Sequence, residues 1–309
     1  MFIAKLRTLF SILRGVELAT IQKSKQHILT AVDYDILKLT HEYHFLTVSQ
    51  VTRLRYSSGS ETTCQDRLKR LFNAGVLDRV QLPHVGTGNT EYLYTLSTKG
   101  RKELQPFGIS NFTRYRPAET HTLKLPHFQH LRTLNDFLIA ARLLCRSHPD
   151  ITLVSMLHDL DMKRTPMRVT LDRQELKIVP DGFLDFRLSI AGRLYAMPVW
   201  VEIDRGTEWG NTLKLKLQKI IHAVQTIAFQ ELFGVSSVTV AISTTHEKRV
   251  DLMRSFMRDE LQRLGLLHLS NVFLFTPLPE EVEPLTLFTA PVWQTIQGDY
   301  VPLLDLSLD

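Results

Sequence analysis

The stretch from Thr30 to Asn73, TAVDYDILKLTHEYHFLTVSQVTRLRYSSGSETTCQDRLKRLFN, decides the first part of the fold. Val32, Ile36, Leu37, Leu39 and Tyr43 recur at helical spacing and predict a helix over 32–43. Thr47 is placed to cap a short second helix over 48–54. Residues 56–60 form a turn-rich break, after which 61–73 reads as a third helix with Leu68, Leu71 and Phe72 turned inward. Gln65, Arg67, Lys69 and Arg70 are then left on its outer side. Gly75 suits the end of that helix, where a positive φ is often required.

Two strand-like runs follow, 76–82 and 91–96, joined by the tip Gly86-Thr87-Gly88-Asn89. Three short helices and a β-hairpin make a winged helix-turn-helix, whose third helix enters the major groove of duplex DNA. Thr62, Thr63, Gln65 and Asp66 are then placed for base edges, and Arg67, Lys69 and Arg70 for phosphates. The same arrangement also serves in protein–protein contact, and the helical pattern leaves that alternative open.

Charge favours the nucleic acid. Residues 48–116 carry eleven Lys/Arg against five Asp/Glu, whereas 280–309 hold six Asp/Glu and no Lys or Arg. A basic block beside an acidic tail points to a local anionic partner, although a solvated face produces the same count. At 309 residues, with 44% apolar and 22% charged, the chain has material for two globular domains. No apolar run approaches the roughly 18 residues of a membrane span. The opening MFIAKLRTLFSILRGVELATI is interrupted by Lys5, Arg7 and Arg14 and lacks a small-residue cleavage site, so it does not read as a signal peptide. Cys64 and Cys145 lie far apart and read as ordinary thiols of a reducing compartment, so the expected location is the cytoplasm.

The predicted organisation is an amphipathic segment over 1–29, the winged helix over 30–104, a linker over 105–126, an α/β domain over 127–279 and an acidic tail over 280–309. The first segment, with Phe2, Leu6, Leu9, Phe10 and Leu13, suits a partner, a second copy or a peripheral membrane surface. The linker is marked by Pro106, Gly108, Pro117 and Pro126. The tail, with Trp293 and Tyr300, either returns over the α/β domain or binds a neighbouring subunit.

Within 127–279 the pattern changes. A long amphipathic helix over 127–146 carries Phe128, Leu131, Leu134, Leu138 and Leu143 along one side. Strand-like runs at 151–155, 176–189 and 194–204 lead to a helix over 211–233, a strand at 237–243, a helix over 247–264 and a strand at 271–275. That order fits a mixed sheet in which a meander is followed by crossover helices. Neither a Gly-rich phosphate loop nor a G-x-S-x-G elbow occurs.

Three acids in this region suggest chemistry. Asp181 follows Pro180 in IVPDGFLDF (178–186), and Glu202 and Asp204 close a strand in VWVEIDRGTE (199–208). Alternation turns Glu202 and Asp204 to one face, and pairing of the strands brings Asp181 beside them. Three converging carboxylates require a cation or protons, and an oxygen-rich set suits Mg²⁺ or Mn²⁺. Lys214, Lys216 and Lys219 stand on the next helix, and Lys216 borders its buried side, from where it can stabilise charge on a phosphate. The plainer reading caps strands with these acids, pairs them with Arg205 or leaves them in solvent. His127 and His130 lack a second ligand pair and read as packing or capping residues. Trp200 and Trp209 bracket the acids and pack around the strand end.

The layout of Pro180-Asp181, VEIDRGTE (201–208) and the KLKLQKI helix (214–220) resembles the replication-relaxation family. So do GVLDR (75–79), YTLSTKG (94–100) and the helix with His130, Asn135 and Asp136, which extends the resemblance over 30–275. The family is encoded largely on plasmids and other mobile elements. The second domain is also similar to the restriction-endonuclease-like PD-(D/E)xK fold, which assigns Asp181 and Glu202 as its two acids. Asp204 stands where the lysine usually does, a departure that Lys216 or Lys214 on the next helix would repair. Asp136 is either an accessory acid or an exposed helix residue. The resemblance implies a duplex-DNA-binding replication or mobilisation factor. Its α/β domain is then either a Mg²⁺-dependent endonuclease or nickase, or a non-catalytic core of a DNA-binding regulator or assembly adaptor. Pure protein scaffolding is the third option.

Overall fold

Two capping boxes organise the beginning of the fold. Thr30 and Asp33 exchange side-chain and backbone bonds at the start of α1 (Ala31–Tyr43), and Thr47 and Gln50 do the same for α2 (Val48–Arg55). These details come from a computed structural model that describes residues 28–81, 91–110, 112, 125–171, 174–278 and 282–307. The readings for 1–27, for the hairpin tip and for most of the linker lie outside the described residues.

Helix α3 (Glu61–Asn73) ends where Gly75, at φ +72°, donates to Phe72 O and Val76 donates to Leu71 O. The chain then forms the antiparallel pair β1 (Leu77–Gln81) and β2 (Tyr92–Leu96), with Leu77 opposite Leu96. A helix absent from the sequence reading follows, α4 (Thr98–Leu104), capped by Ser97. Gly100 is required there for space, since a Cβ would stand 2.0 Å from the Val76 carbonyl oxygen.

The spine of the molecule is α5 (Leu125–Ser147), which buries Phe128, Leu131, Leu134 and Leu138. At its end Leu144 takes the fully buried place expected of Leu143, which is half-buried. Beyond it lie β3 (Ile151–His158), α6 (Asp159–Met162), β4 (Met167–Leu171), β5 (Gln174–Ile178), β6 (Gly182–Ile190) and β7 (Arg193–Asp204). Then follow α7 (Gly210–Val224), α8 (Ile227–Phe233), β8 (Thr239–Thr244), α9 (Glu247–Leu264) and β9 (Phe273–Pro277). The chain closes with α10 (Pro284–Thr289), β10 (Trp293–Gln294) and β11 (Tyr300–Val301).

Seven strands form one mixed sheet in the order β11-β10-β9-β8-β7-β6-β3. The meander β3–β6–β7 is antiparallel, whereas β7, β8 and β9 run parallel through helical crossovers. Two long runs are divided relative to the sequence reading. Residues 174–178 leave the sheet to pair with β4, and the sheet strand starts only at Gly182, beyond Pro180. Proline has no N–H for the ladder and restrains the residue before it, so the run breaks there. The expected helix over 211–233 ends at Val224, and Thr226 caps a separate α8.

Alternation along β7 sets the two faces of the site. Val199, Val201 and Ile203 share a core with Leu134 and Leu138 of α5, whereas Trp200 packs with Leu213 and Leu217 of α7 and Met253 of α9. The first of these cores also includes Ile36, Leu37 and Leu46, so the helical part and the sheet share one apolar interior. Asn135 of α5 donates to the carbonyls of Tyr43 and Phe45, and Asp136 accepts from Gln50 and Arg53. The described part of the acidic tail returns to the sheet, burying Phe288, Trp293, Leu303 and Leu304.

Candidate functional site

Helix α3 presents a polar face. Thr62, Thr63, Gln65, Asp66, Lys69 and Arg70 are all exposed, while Cys64, Leu68 and Leu71 are buried beneath them. Arg67 is placed differently from its expected outward role. It donates to Asp33 Oδ1 at 2.7 Å and to Thr30 Oγ1 at 3.1 Å, so its charge serves the start of α1. Arg79 of β1 lies between the rings of Phe72 and Tyr92, 4.2 and 4.3 Å from their centroids, and ties the hairpin to α3.

A second constellation lies at the end of the sheet. Asp181 occupies the bend before β6, and its Oδ2 accepts from the Ile203 N–H at 2.8 Å. Its Oδ1 lies 3.2 Å from Nε2 of His130 on α5. Glu202 on β7 accepts from Trp200 Nε1 at 2.7 Å and pairs with Lys216 Nζ of α7 at 2.8 Å. Lys214, two residues earlier, is exposed and lies over the Phe256 ring.

Burial works to raise Asp181, but Lys216, His130 and the Ile203 N–H outweigh it and hold its pKa below the usual carboxylate range. Glu202 goes the other way: burial, aided by the charge of Asp181, raises it despite Lys216. Burial would lower Lys216 and His130, yet Glu202 and Asp181 keep Lys216 above its ordinary value, and the hydrogen bond and charge of Asp181, with Asp159, do the same for His130.

Residues 37–239 match the replication-relaxation family. The chain belongs to that family. Membership points to a replication-related function. Comparison with curated proteins and with solved structures gives no match.

In this replication-relaxation protein the acids do not gather as a threesome. Asp204 shares a face with Glu202, but its carboxylate accepts from Arg249 Nε at 2.7 Å and Nη2 at 3.1 Å. Thr244 Oγ1 at 3.0 Å and the Gly206 N–H at 3.3 Å complete its surroundings. Asp204 is thus spent on a buried ion pair with α9, 45 residues ahead in the chain. Both oxygens of Asp181 and both of Glu202 also face protein donors. Among the described residues, no group of three or more His, Cys, Asp or Glu side chains can hold a metal ion. The three-carboxylate Mg²⁺ or Mn²⁺ site therefore does not fit this arrangement, in which Lys216 supplies the positive charge beside Glu202.

Three further residues of the family pattern acquire definite places. His130 is neither a ligand nor a mere packing residue, but the α5 partner of Asp181. Asp136 is neither an accessory acid nor a free surface residue, because it joins α5 to Gln50 and Arg53 of α2. Trp200 is buried with its N–H on Glu202, whereas Trp209 is exposed beneath the Arg249 guanidinium. The resemblance singled out the helix bearing His130 and Asp136, but their partners lie 51 and 83–86 residues away and no local pattern reveals them. No described helix is long and apolar enough to cross a membrane.

Proposed function

We propose that this family member is a duplex-DNA-binding replication factor of a plasmid or other mobile element, and that it binds DNA without cutting it. The exposed polar face of α3 carries this reading. Three helices and a hairpin present that face as a winged helix does, with Thr62, Thr63 and Gln65 toward bases and Lys69 and Arg70 toward phosphates. Arg67 drops out of this set because Asp33 holds it. The restriction-endonuclease-like α/β unit serves as a rigid support behind the reading helix.

Fluorescence anisotropy with a labelled duplex tests the binding. The double variant Lys69→Ala/Arg70→Ala is expected to lower the salt slope of log K by about 2, at about 0.9 per phosphate contact. An unchanged slope and affinity would sink α3 as the DNA-binding element and favour protein scaffolding.

The juxtaposition of Asp181, Glu202 and Lys216 favours a second reading, a Mg²⁺- or Mn²⁺-dependent nickase. Supercoiled plasmid incubated with either metal decides between the two. The expected result is DNA that stays supercoiled with wild type and with Glu202→Ala alike. Nicking by wild type that Glu202→Ala abolishes would establish the nickase instead.

A further inference from the structure

Arg205 is a cation that the fold places just beyond the strand bearing Glu202, with no counter-charge among the described residues. It follows Asp204 directly, so strand alternation sends it to the opposite face, toward α5. There Nη1 donates to Thr133 Oγ1 at 3.1 Å and to Gln129 O at 3.5 Å, and Nη2 donates to Gln129 Oε1 at 3.3 Å. All three acceptors are neutral, and among the described residues no carboxylate lies within ion-pair distance of it. A guanidinium carries five N–H donors, so three bonds fix its plane and leave donors to spare.

The charge that acts most on Arg205 is a second cation, Arg132, one helical turn beyond Gln129. Burial and Arg132 both work against the protonated state, as expected for like charges brought together with no anion between them. Arg132 is 48% exposed and reaches Glu91, next to the first residue of β2, at 2.7 Å. The position relative to the cluster is equally definite. Gln129 precedes His130, the Asp181 partner, and Ile203, whose N–H holds Asp181, lies two residues before Arg205.

We propose that Arg205 and Arg132 form a clamp for a backbone phosphate of duplex DNA, between the loop end of the β1–β2 ladder and the Asp181–Glu202–Lys216 cluster. Half-burying a guanidinium among neutral oxygens costs free energy that an incoming anion recovers. The planar fork matches two oxygens of a phosphodiester in a way that an ammonium does not. Arg132, tethered to the hairpin through Glu91, lies on the path of a duplex that follows α3 and its hairpin. The clamp rests on the DNA-binding reading above and adds a second contact region outside α3.

The test is anisotropy with the labelled duplex over a series of salt concentrations, in EDTA. Arg205→Gln is expected to weaken binding about five-fold near 0.15 M salt and to lower the salt slope by about 1, while Arg205→Lys retains most of the slope. Thermal melting checks the fold of each variant. Should Arg205→Gln not fold, Arg132→Gln, at an exposed position, carries the same expected loss of about 1 in slope. If folded Arg205→Gln or Arg132→Gln matches wild type in affinity and slope, the clamp is overturned and the α3 reading stands. If wild type itself does not bind the duplex, the DNA-binding reading falls and takes the clamp with it.

Discussion

Arg249→Met is expected to cost about 3–5 kcal/mol of folding stability, the penalty for stripping one partner from a buried ion pair. The Arg249 side chain is wholly inaccessible and that of Asp204 nearly so, at 0% and 3%. The guanidinium also donates to the Glu208 carbonyl and lies 4.6 Å from the centre of the Trp209 ring. Once it is removed, Asp204 keeps, among the described residues, Thr244 and the Gly206 N–H, too little to stabilise a charge at that depth. The double variant Asp204→Leu/Arg249→Met is expected to recover most of the loss, since an apolar pair of similar volume removes the desolvation cost of both ions. Urea unfolding of the three proteins measures this. A single variant within about 1 kcal/mol of wild type would show that the pair does not hold β7 to α9.

Acidification from pH 7 to 5 is expected to remove about 2 kcal/mol of stability through one histidine. His44 ends α1 with φ +61° and ψ −45°, the centre of a tight turn in which Phe45 N–H donates to Tyr43 O. Such a conformation costs a non-glycine residue about 1–3 kcal/mol, and the surroundings impose it. Asn135 holds the carbonyls on both sides of the turn, and Asp161 of α6 lies 3.1 Å from His44 Nε2. The His158 ring packs edge-on at 4.8 Å, Asp159 adds its field, and His41 and Arg101 line the same small cavity. Burial pushes His44 down to about 4 despite Asp161.

Between pH 6.5 and 4 the unfolded chain thus binds a proton that folded His44 refuses, so stability falls as the pH falls through that window. His130 acts with the opposite sign. Its folded pKa is raised, so its contribution is present at low pH and is lost as the pH rises through the raised value. Asparagine tolerates a positive φ and does not titrate, so His44→Asn isolates the effect. Denaturation at pH 7 and pH 5 should show a smaller acid loss in the variant than in wild type. Equal losses would remove His44 as the source.

Much of the helical architecture can be read locally. Residues 61–73 and 247–264 are helices with the boundaries that periodicity and end residues predict, because caps and apolar spacing are properties of neighbouring residues. The short α4 escaped because seven residues with Leu104 alone turned inward show no period, and its Gly100 is explained only by the carbonyl of Val76. Residues 176–178 read as continuous with β6 because hydrophobicity does not say which partner a strand will pair with.

For the site, sequence alone determined which groups stand on neighbouring strands and on the following helix, namely Asp181, Glu202, Asp204 and Lys216. The tertiary structure decided which of them meet. It gave Lys216 to Glu202, diverted Asp204 to Arg249, recruited His130 from α5, withdrew Arg67 to Asp33 and left Arg205 among neutral oxygens. Alternation along β7 allowed only two faces for its side chains, and that much is local. The choice of partner on each face depends on charges brought close by packing from distant positions, 14 residues for Lys216 with Glu202 and 45 for Arg249 with Asp204, where burial makes an unpaired ion costly.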